Sequence, residues 1–402
     1  MRSFYLKRLA GRRVFIGITG IVTLFAGSCK VNRLAYHLNA TDSAIVFEPV
    51  KGSYASMRIP ALVITRQGSL LAFCEGRINS ASDWGDMDML MRRSIDGGKT
   101  WSPPIILAAH QGGNPVSNPT PVVDKDGTIH LIYQRDYARA FYIKSVDDGL
   151  HWSNAIDITQ VFEGFKPLYK WTVLAPGPGH AIQMTNGRLL VPVWLSASTK
   201  LIPHRSHSPT CVATIYSDDN GNTWKCGAIA ANNSAEIKNP NETMAVQLNN
   251  GRVMLNIRTG SDRHRRVVTY SADGISNWSP PRFDEQLFDP LCMASIVKVP
   301  DNRKKAATTL LFINPDSHDI PKFPRRNLTA KISYDAGNTW SPGQLIHNGY
   351  TGYSDTAINP NGTVYCLFES NINSSFNYTI VIKRFRLSGF NAGNSLNTQL
   401  TK

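Results

Sequence analysis

The sequence predicts an all-β protein, a six-bladed β-propeller of four-stranded antiparallel blades, from three observations. An eight-residue box of the form Ser-x-Asp-x-Gly-x-x-Trp recurs: SIDGGKTW at 94–101, SVDDGLHW at 145–152, SDDNGNTW at 217–224 and SYDAGNTW at 333–340. A fifth copy, SADGISNW at 271–278, keeps Ser, Asp and Trp but sets its glycine one place early. Starts lie 51, 72, 54 and 62 residues apart, a period that fits one supersecondary unit per box. Second, helical periodicity is nearly absent after Cys29, where short apolar runs alternate with Asn-Gly, Asp-Gly and Pro. Third, one pattern repeats between boxes, a Gly-containing turn followed by an apolar strand, as in GSLLAF (68–73), GTIHLIY (127–133), GRLLVPVW (187–194), GRVMLNI (251–257) and GTVYCLF (362–368).

Each element follows from local chemistry. An Asp carboxylate folds back onto nearby backbone N–H groups, Gly supplies a positive φ, and the Trp covers the turn. Each box follows a β-rich run, which places it in a hairpin between two strands. Two strands before each box and two around it make four per unit, the composition of a propeller blade. Five boxes and the box-free stretch 350–386 give six units, and an early strand at 44–47 would join the last one and close the ring. No low-complexity linker divides the chain, so 44–390 reads as one domain. The boxes recur as structural turns, and the chemistry is to be sought elsewhere.

The N-terminus reads as a targeting segment. Arg2, Lys7, Arg8, Arg12 and Arg13 stand without an acidic residue before an apolar run at 14–27 that is too short to span a bilayer. Ala26, Gly27 and Ser28 precede Cys29, as in a bacterial lipoprotein signal, where Cys29 would carry the lipid. Ordinary secretory cleavage after Ser28 and a retained membrane anchor are the competing readings. The expected layout is a signal segment at 1–28, a tether at 29–43, the propeller, and a tail at 391–402. The product would be exported, held in the periplasm or at the outer membrane or cell surface by lipid, or otherwise secreted.

The net charge of +14 includes five positives in that segment, leaving +9 from Cys29 onward. No dense Lys/Arg run with interleaved aromatics is present, which argues against nucleic acid as a partner. The diffuse positive field suits an acidic small ligand, or a solvated surface. Cys74 and Cys366 lie in apolar runs and read as buried thiols, whereas Cys211 and Cys226 flank the third box and could face each other across its hairpin. No residues have zinc-ligand spacing.

Several polar residues stand out against this scaffold. Arg58 precedes a buried strand, Arg258 closes another, and Arg325 and Arg326 precede a third. Arginines at separate strand ends could converge at a central mouth and hold a carboxylate through charge-assisted, bidentate hydrogen bonds. Glu242 before the strand at 243–248, Glu369 at the end of VYCLFE, Asp83 in a loop and Tyr353 between glycine-rich neighbours add acids and a phenol. Taken singly, each is more often a solvated or capping residue.

As an ordered set these stretches resemble the exo-sialidases of glycoside hydrolase family 33. The resemblance rests on Arg-Ile-Pro at 58–60, EGR and the stretch to the first box at 75–101, NPTPVVD at 118–124, the stretch 176–194, NETMAVQLNNGRVMLNIR at 241–258, RRNLTAKISYDAGNTW at 325–340, and GYSDTA with CLFE, and it covers roughly 47–386. It implies a retaining exo-α-sialidase that releases terminal sialic acid from glycoproteins, glycolipids and oligosaccharides. Arg58, Arg258 and Arg325 would clamp the sialic acid carboxylate, Arg325 being favoured over Arg326 by its spacing to Asn327 and Leu328. Tyr353 would be the nucleophile, Glu242 its base, Asp83 the acid/base, and Glu369 would orient Arg58. Arg77 and Asn118 would line the pocket near the sugar's far hydroxyls.

The residue types suit that chemistry. Most retaining glycosidases use a carboxylate nucleophile, with sialidases the tyrosine exception. Sialic acid carries its own carboxylate on the anomeric carbon, and a neutral phenol approaches that charge without repulsion. A phenol with a pKa near 10 then needs a base at hand, which Glu242 supplies. No metal or organic cofactor is required, and a monomer is expected. A trans-sialidase or intramolecular trans-sialidase would share the same residues, while a glycan-binding propeller without activity would be expected to lose the Tyr/Glu pair or Asp83. Linkage preference would depend on rim loops at 201–209 and 313–326.

Overall fold

The computed structural model describes residues 42–200, 202–300, 307–371 and 377–387. The signal segment expected at 1–28, Cys29, most of the tether and the tail at 391–402 lie outside these residues. Strand β1 (Asp42–Phe47) comes first. Next, β2 (Ser56–Ile64), β3 (Leu70–Arg77), β4 (Met87–Ser94) and β5 (Ile105–Ala108) form one antiparallel sheet in chain order. A second holds β6 (Val116–Val123), β7 (Ile129–Arg135), β8 (Arg139–Ser145) and β9 (Ile156–Asp157). A short helix, α1 (Thr159–Glu163), precedes a five-stranded sheet in which β10 (Val173–Pro176) and β11 (Ile182–Gln183) both pair with β12 (Leu189–Ser196), followed by β13 (Thr210–Ser217) and β14 (Lys225–Asn232). The next sheet contains β15 (Thr243–Gln247), β16 (Val253–Ile257), β17 (Arg265–Ser271) and β18 (Arg282–Phe288).

The remaining strands are β19 (Ser295–Lys298), β20 (Leu310–Pro315), β21 (Arg326–Ser333), β22 (Gln344–Ile358), β23 (Thr363–Ser370) and β24 (Thr379–Arg386). With β1 they make one seven-stranded sheet, ordered β1-β24-β23-β22-β21-β20-β19. Its 15-residue strand β22 pairs with β21 up to Tyr350 and with β23 from Thr351 onward. The fold is therefore all-β and propeller-like, with four separate blade sheets and one longer sheet. Among the described residues no helix is long and apolar enough to cross a membrane.

Strands inside each sheet read as near-continuous apolar runs because both faces are covered. The core lies between sheets, not within one. Ala61, Leu71 and Phe73 of the first sheet pack with Ile129, Leu131 and Tyr133 of the second. Val122 and Tyr142 pack with Val191 and Ile215 of the third. At the other end of the chain, Leu367 and Ile382 pack with Leu62 and Leu70, so the last strands meet the first sheet.

The recurring boxes form the turns that join β4 to β5, β8 to β9, β13 to β14, β17 to β18 and β21 to β22. In the first, Asp96 accepts the N–H groups of Lys99 and Thr100 at 3.0 Å, and Ser94 Oγ accepts that of Gly98 at 2.8 Å. In the fifth, Asp273 accepts those of Ile275 and Ser276 at 3.0 and 2.8 Å, one residue closer along the chain. That shift explains why its glycine stands one place early. The second box also shows why glycine is demanded. Gly149 has φ +82°, and a Cβ there would lie 2.8 Å from Leu71 Cδ1 of the preceding sheet. The Trp of the same box, Trp152, meets Phe73 of that sheet edge to face at 6.1 Å. The boxes are turns that also join neighbouring sheets.

The expected facing of Cys211 and Cys226 is corrected. Cys211 pairs with Asn232 and Cys226 with Ile215, so the two stand at opposite ends of the β13–β14 ladder. Both are free thiols.

Candidate active site

One end of the innermost strands surrounds a cavity of about 200 Å³. The chain builds it through irregularities. The β2–β3 register slips between Arg58 and Ala61, β6–β7 between Ser117 and Thr120, and β22–β23 between Thr351 and Ser354. Ile59 and Asn118 have φ of +57° and +59°. A β-branched residue in that region is strained, and bulges of this kind re-aim side chains. Arg58, Asn118 and Tyr353 are the side chains delivered here.

The cavity is lined by Arg58, Arg77, Asp83, Asn118, Glu242, Arg258, Arg325 and Tyr353 among others. Eight of the nine residues singled out in the sequence thus line one cavity. The ninth, Glu369, is fully buried behind it. Its Oε1 accepts Arg58 Nε at 2.7 Å and the Ile59 N–H at 2.9 Å, while Oε2 accepts the Tyr353 N–H at 3.0 Å. Glu369 therefore fixes Arg58 and the Tyr353 backbone relative to each other. Burial would lower the Arg58 pKa, but Glu369 and Tyr353 outweigh it and hold the guanidinium charged. Arg325 faces the cavity, whereas Arg326 lies over the Tyr350 ring at 4.7 Å.

Tyr353 and Glu242 form a short hydrogen bond of the cavity lining. The Tyr353 hydroxyl donates to Glu242 Oε1 at 2.5 Å. Arg258 Nη1 donates to the Tyr353 oxygen at 2.8 Å and to Glu242 Oε2. Glu242 and Arg258 are neighbours because their backbones continue the β15–β16 ladder, the Arg258 N–H donating to the Glu242 C=O at 3.0 Å. The guanidiniums of Arg58 and Arg325 stand 5.5 and 5.3 Å from the centre of the Tyr353 ring. Burial raises the phenol pKa well above 10 and outweighs the pull of Arg258 and Arg325. At rest Tyr353 is a neutral phenol with its proton directed at a carboxylate.

On the opposite side, Arg77 Nη2 bonds Glu75 Oε2 and Asp83 Oδ1, each at 2.8 Å. Burial would raise the Asp83 pKa, but Arg77, Arg58 and His207 together hold it below the ordinary carboxylate value. The Asp83 side chain keeps 51 % of its surface exposed to water. The Asn118 N–H donates to Glu75 Oε1 at 3.1 Å, so Glu75 organises this side as Glu369 organises the other.

Sequence reading missed the aromatic part of the wall. Tyr137, Trp194 and His207 line the cavity, and Trp84 stacks on His204 at 5.1 Å with nearly parallel rings. These side chains come from a loop, a turn and a strand with no shared spacing. The adjacency of Glu75 and Arg77 on one face of β3 was the available signal for the first of the missed partners. Among the described residues no group of three or more His, Cys, Asp or Glu could hold a metal ion.

A model of the BNR repeat-like domain matches residues 68–366, and the chain belongs to that family of repeat proteins. Its relatives within it are sialidases. It is 31 % identical over 348 residues to a sialidase of Micromonospora viridifaciens, an alignment covering 79 % of this chain and 50 % of that one. It is 30 % identical over 349 residues to Sialidase-2 of Mus musculus, covering 78 % and 88 %. Among solved structures, Hadza microbial sialidase Hz136 superposes with a TM-score of 0.71 at 28 % identity, covering 86 % of this chain and 69 % of that one. The chain is a member of the sialidase family with BNR repeats, and it spans about half the length of the Micromonospora relative.

Proposed function

We propose that this protein is a retaining exo-α-sialidase that hydrolyses terminal sialic acid from glycoconjugates through a tyrosine nucleophile. The observation that carries this reading is the Tyr353–Glu242 hydrogen bond of 2.5 Å in a cavity that Arg58, Arg258 and Arg325 also line. Arg58, Arg258 and Arg325 bind the substrate carboxylate. The buried, neutral phenol attacks the anomeric carbon as Glu242 takes its proton, and Arg258, bonded to both, stabilises the charge moving between them. Asp83 gives a proton to the leaving oxygen, then takes one from the water that breaks the glycosyl–tyrosine bond. Arg77 orients Asp83, and Asn118 lies on the same side, toward the sugar's far hydroxyls. No cofactor takes part.

The same reading counts six blades. Strand β22 serves as the last strand of one blade and the first of the next, which divides the seven-stranded sheet in two. Export, with a lipid on Cys29, completes the proposal and rests on the sequence of the N-terminal segment alone.

The test is incubation with sialyllactose followed by NMR of the released sugar. α-Sialic acid as first product, lost in Tyr353→Phe, is the expected result. A Tyr353→Phe protein as active as the parent would refute the nucleophile. A transferred or internally anhydrous product would move the protein to the trans-sialidases with the same residues in place.

A further inference from the structure

We propose that Arg266 and Asp289, a buried ion pair outside the cavity, position two of the four arginines that face it, Arg258 and Arg325. Neither residue lines the cavity, and both are fully buried. The inference rests on the reading of Arg258 and Arg325 as carboxylate ligands.

Arg266 is held on every side. Its Nε donates to Asn256 Oδ1 at 2.8 Å and its Nη2 to the Asn256 C=O at 3.2 Å. Its Nη1 donates to Asp289 Oδ2 at 3.3 Å and to the Cys292 C=O at 3.0 Å. Asn256 stands two residues before Arg258, on the same face of that strand. Asp289 Oδ2 also accepts the N–H of Thr259, the residue after Arg258, at 3.2 Å. The pair thus braces the chain on both sides of Arg258.

The link to Arg325 runs through the turn 289–292. Asp289 Oδ1 accepts the Cys292 N–H at 3.1 Å, closing that turn. Inside it Leu291 has φ +57°, a conformation a Leu side chain disfavours. The Leu291 C=O accepts Arg325 Nη2 at 2.5 Å. A strained residue whose carbonyl meets a cavity-lining cation is held by something, and the ion pair closing the turn is what holds it. A charged pair of this kind is poor at stabilising a fold, because taking both charges out of water offsets their attraction. Burial lowers the Arg266 pKa even beside Asp289. Such a pair fits a geometric role better than an energetic one.

The experiment is a double-mutant cycle of Arg266→Lys and Arg325→Ala, reading KM for sialyllactose and the inhibition constant of a 2,3-didehydro sialic acid. Lys keeps the charge but cannot reproduce the forked contacts. Arg266→Lys is expected to raise both constants about tenfold, with kcat changed less, and to add about threefold on the Arg325→Ala background, where only the brace on Arg258 is left to lose. Unchanged constants, or effects that multiply in full, would overturn the positioning role. If Arg266→Lys does not fold, Asp289→Asn decides: a rise of about threefold that shrinks to under about twofold on the Arg325→Ala background supports the proposal, and no rise, or an undiminished one, overturns it. A parent protein that neither cleaves sialyllactose nor binds the inhibitor would instead fail at the proposed function, and this inference would fall with it.

Discussion

Glu242 and Glu369 lie on either side of Tyr353, and the contrast between them defines the site. Glu369 is fully buried and meets only N–H donors, from Arg58, Ile59 and the Tyr353 backbone. Glu242 faces the cavity, with Arg258 Nη1 on one oxygen and an O–H, the Tyr353 hydroxyl, on the other. An acceptor saturated by N–H groups is a fixed anchor. An acceptor facing a hydroxyl can take its proton. On the proposed reading, one residue type serves as bracket and as base, depending on which donors the fold presents.

Removing the base should have the largest effect. Glu242→Gln is expected to lower kcat for sialyllactose by about 10²–10⁴-fold with little change in the melting curve. Equal losses of stability and rate would erase the distinction between the two glutamates.

Asp83→Ala comes next. The loss should be about 10²-fold for sialyllactose and far smaller for an aryl sialoside whose leaving group needs no proton. The pH profile sharpens this. Asp83 is held below the ordinary carboxylate value, so its protonated form is lost as pH rises above that low pKa. The kcat/KM for sialyllactose should fall with rising pH across the acidic range. Arg77→Leu removes the first of the groups holding it down, which raises the Asp83 pKa and moves that limb to higher pH. A limb unmoved by Arg77→Leu would assign it to another group.

Breaking the bracket should read mainly as stability. Glu369→Gln directs an amide N–H₂ toward backbone and guanidinium donors, and about 3 kcal/mol of destabilisation is expected by denaturant titration, with KM raised. Gly352→Ala tests the same point from the other side, because a Cβ there would collide with the Glu369 carboxylate. The smallest effect concerns the thiols. With Cys211 and Cys226 apart on their ladder, a reductant should leave the melting temperature unchanged.

Much of this contrast was legible in the chain. The boxes specify their own turns through side chains a few residues apart, so Asp96, Ser94 and Gly98 are a local code. Arg58, Glu242, Arg258 and Tyr353 are legible only as an ordered set, since no local pattern says that three sheets far apart in the chain meet. Trp84, Tyr137 and His207 were illegible because a rim of aromatics from a loop and turns has no period. The Cys211–Cys226 misreading has the same origin: flanking one turn does not fix cross-strand register, which the bulges in β13–β14 shift.

The most direct measurement of the central claim is peptide mass mapping after brief reaction with 2,3-difluorosialic acid, whose anomeric fluoride is the leaving group. A fluorosialyl adduct on the peptide containing Tyr353, absent in Tyr353→Phe and formed far more slowly in Glu242→Gln, is the expected result. An adduct on Glu242 or Asp83, or a catalytically active protein that forms none on Tyr353, would contradict it.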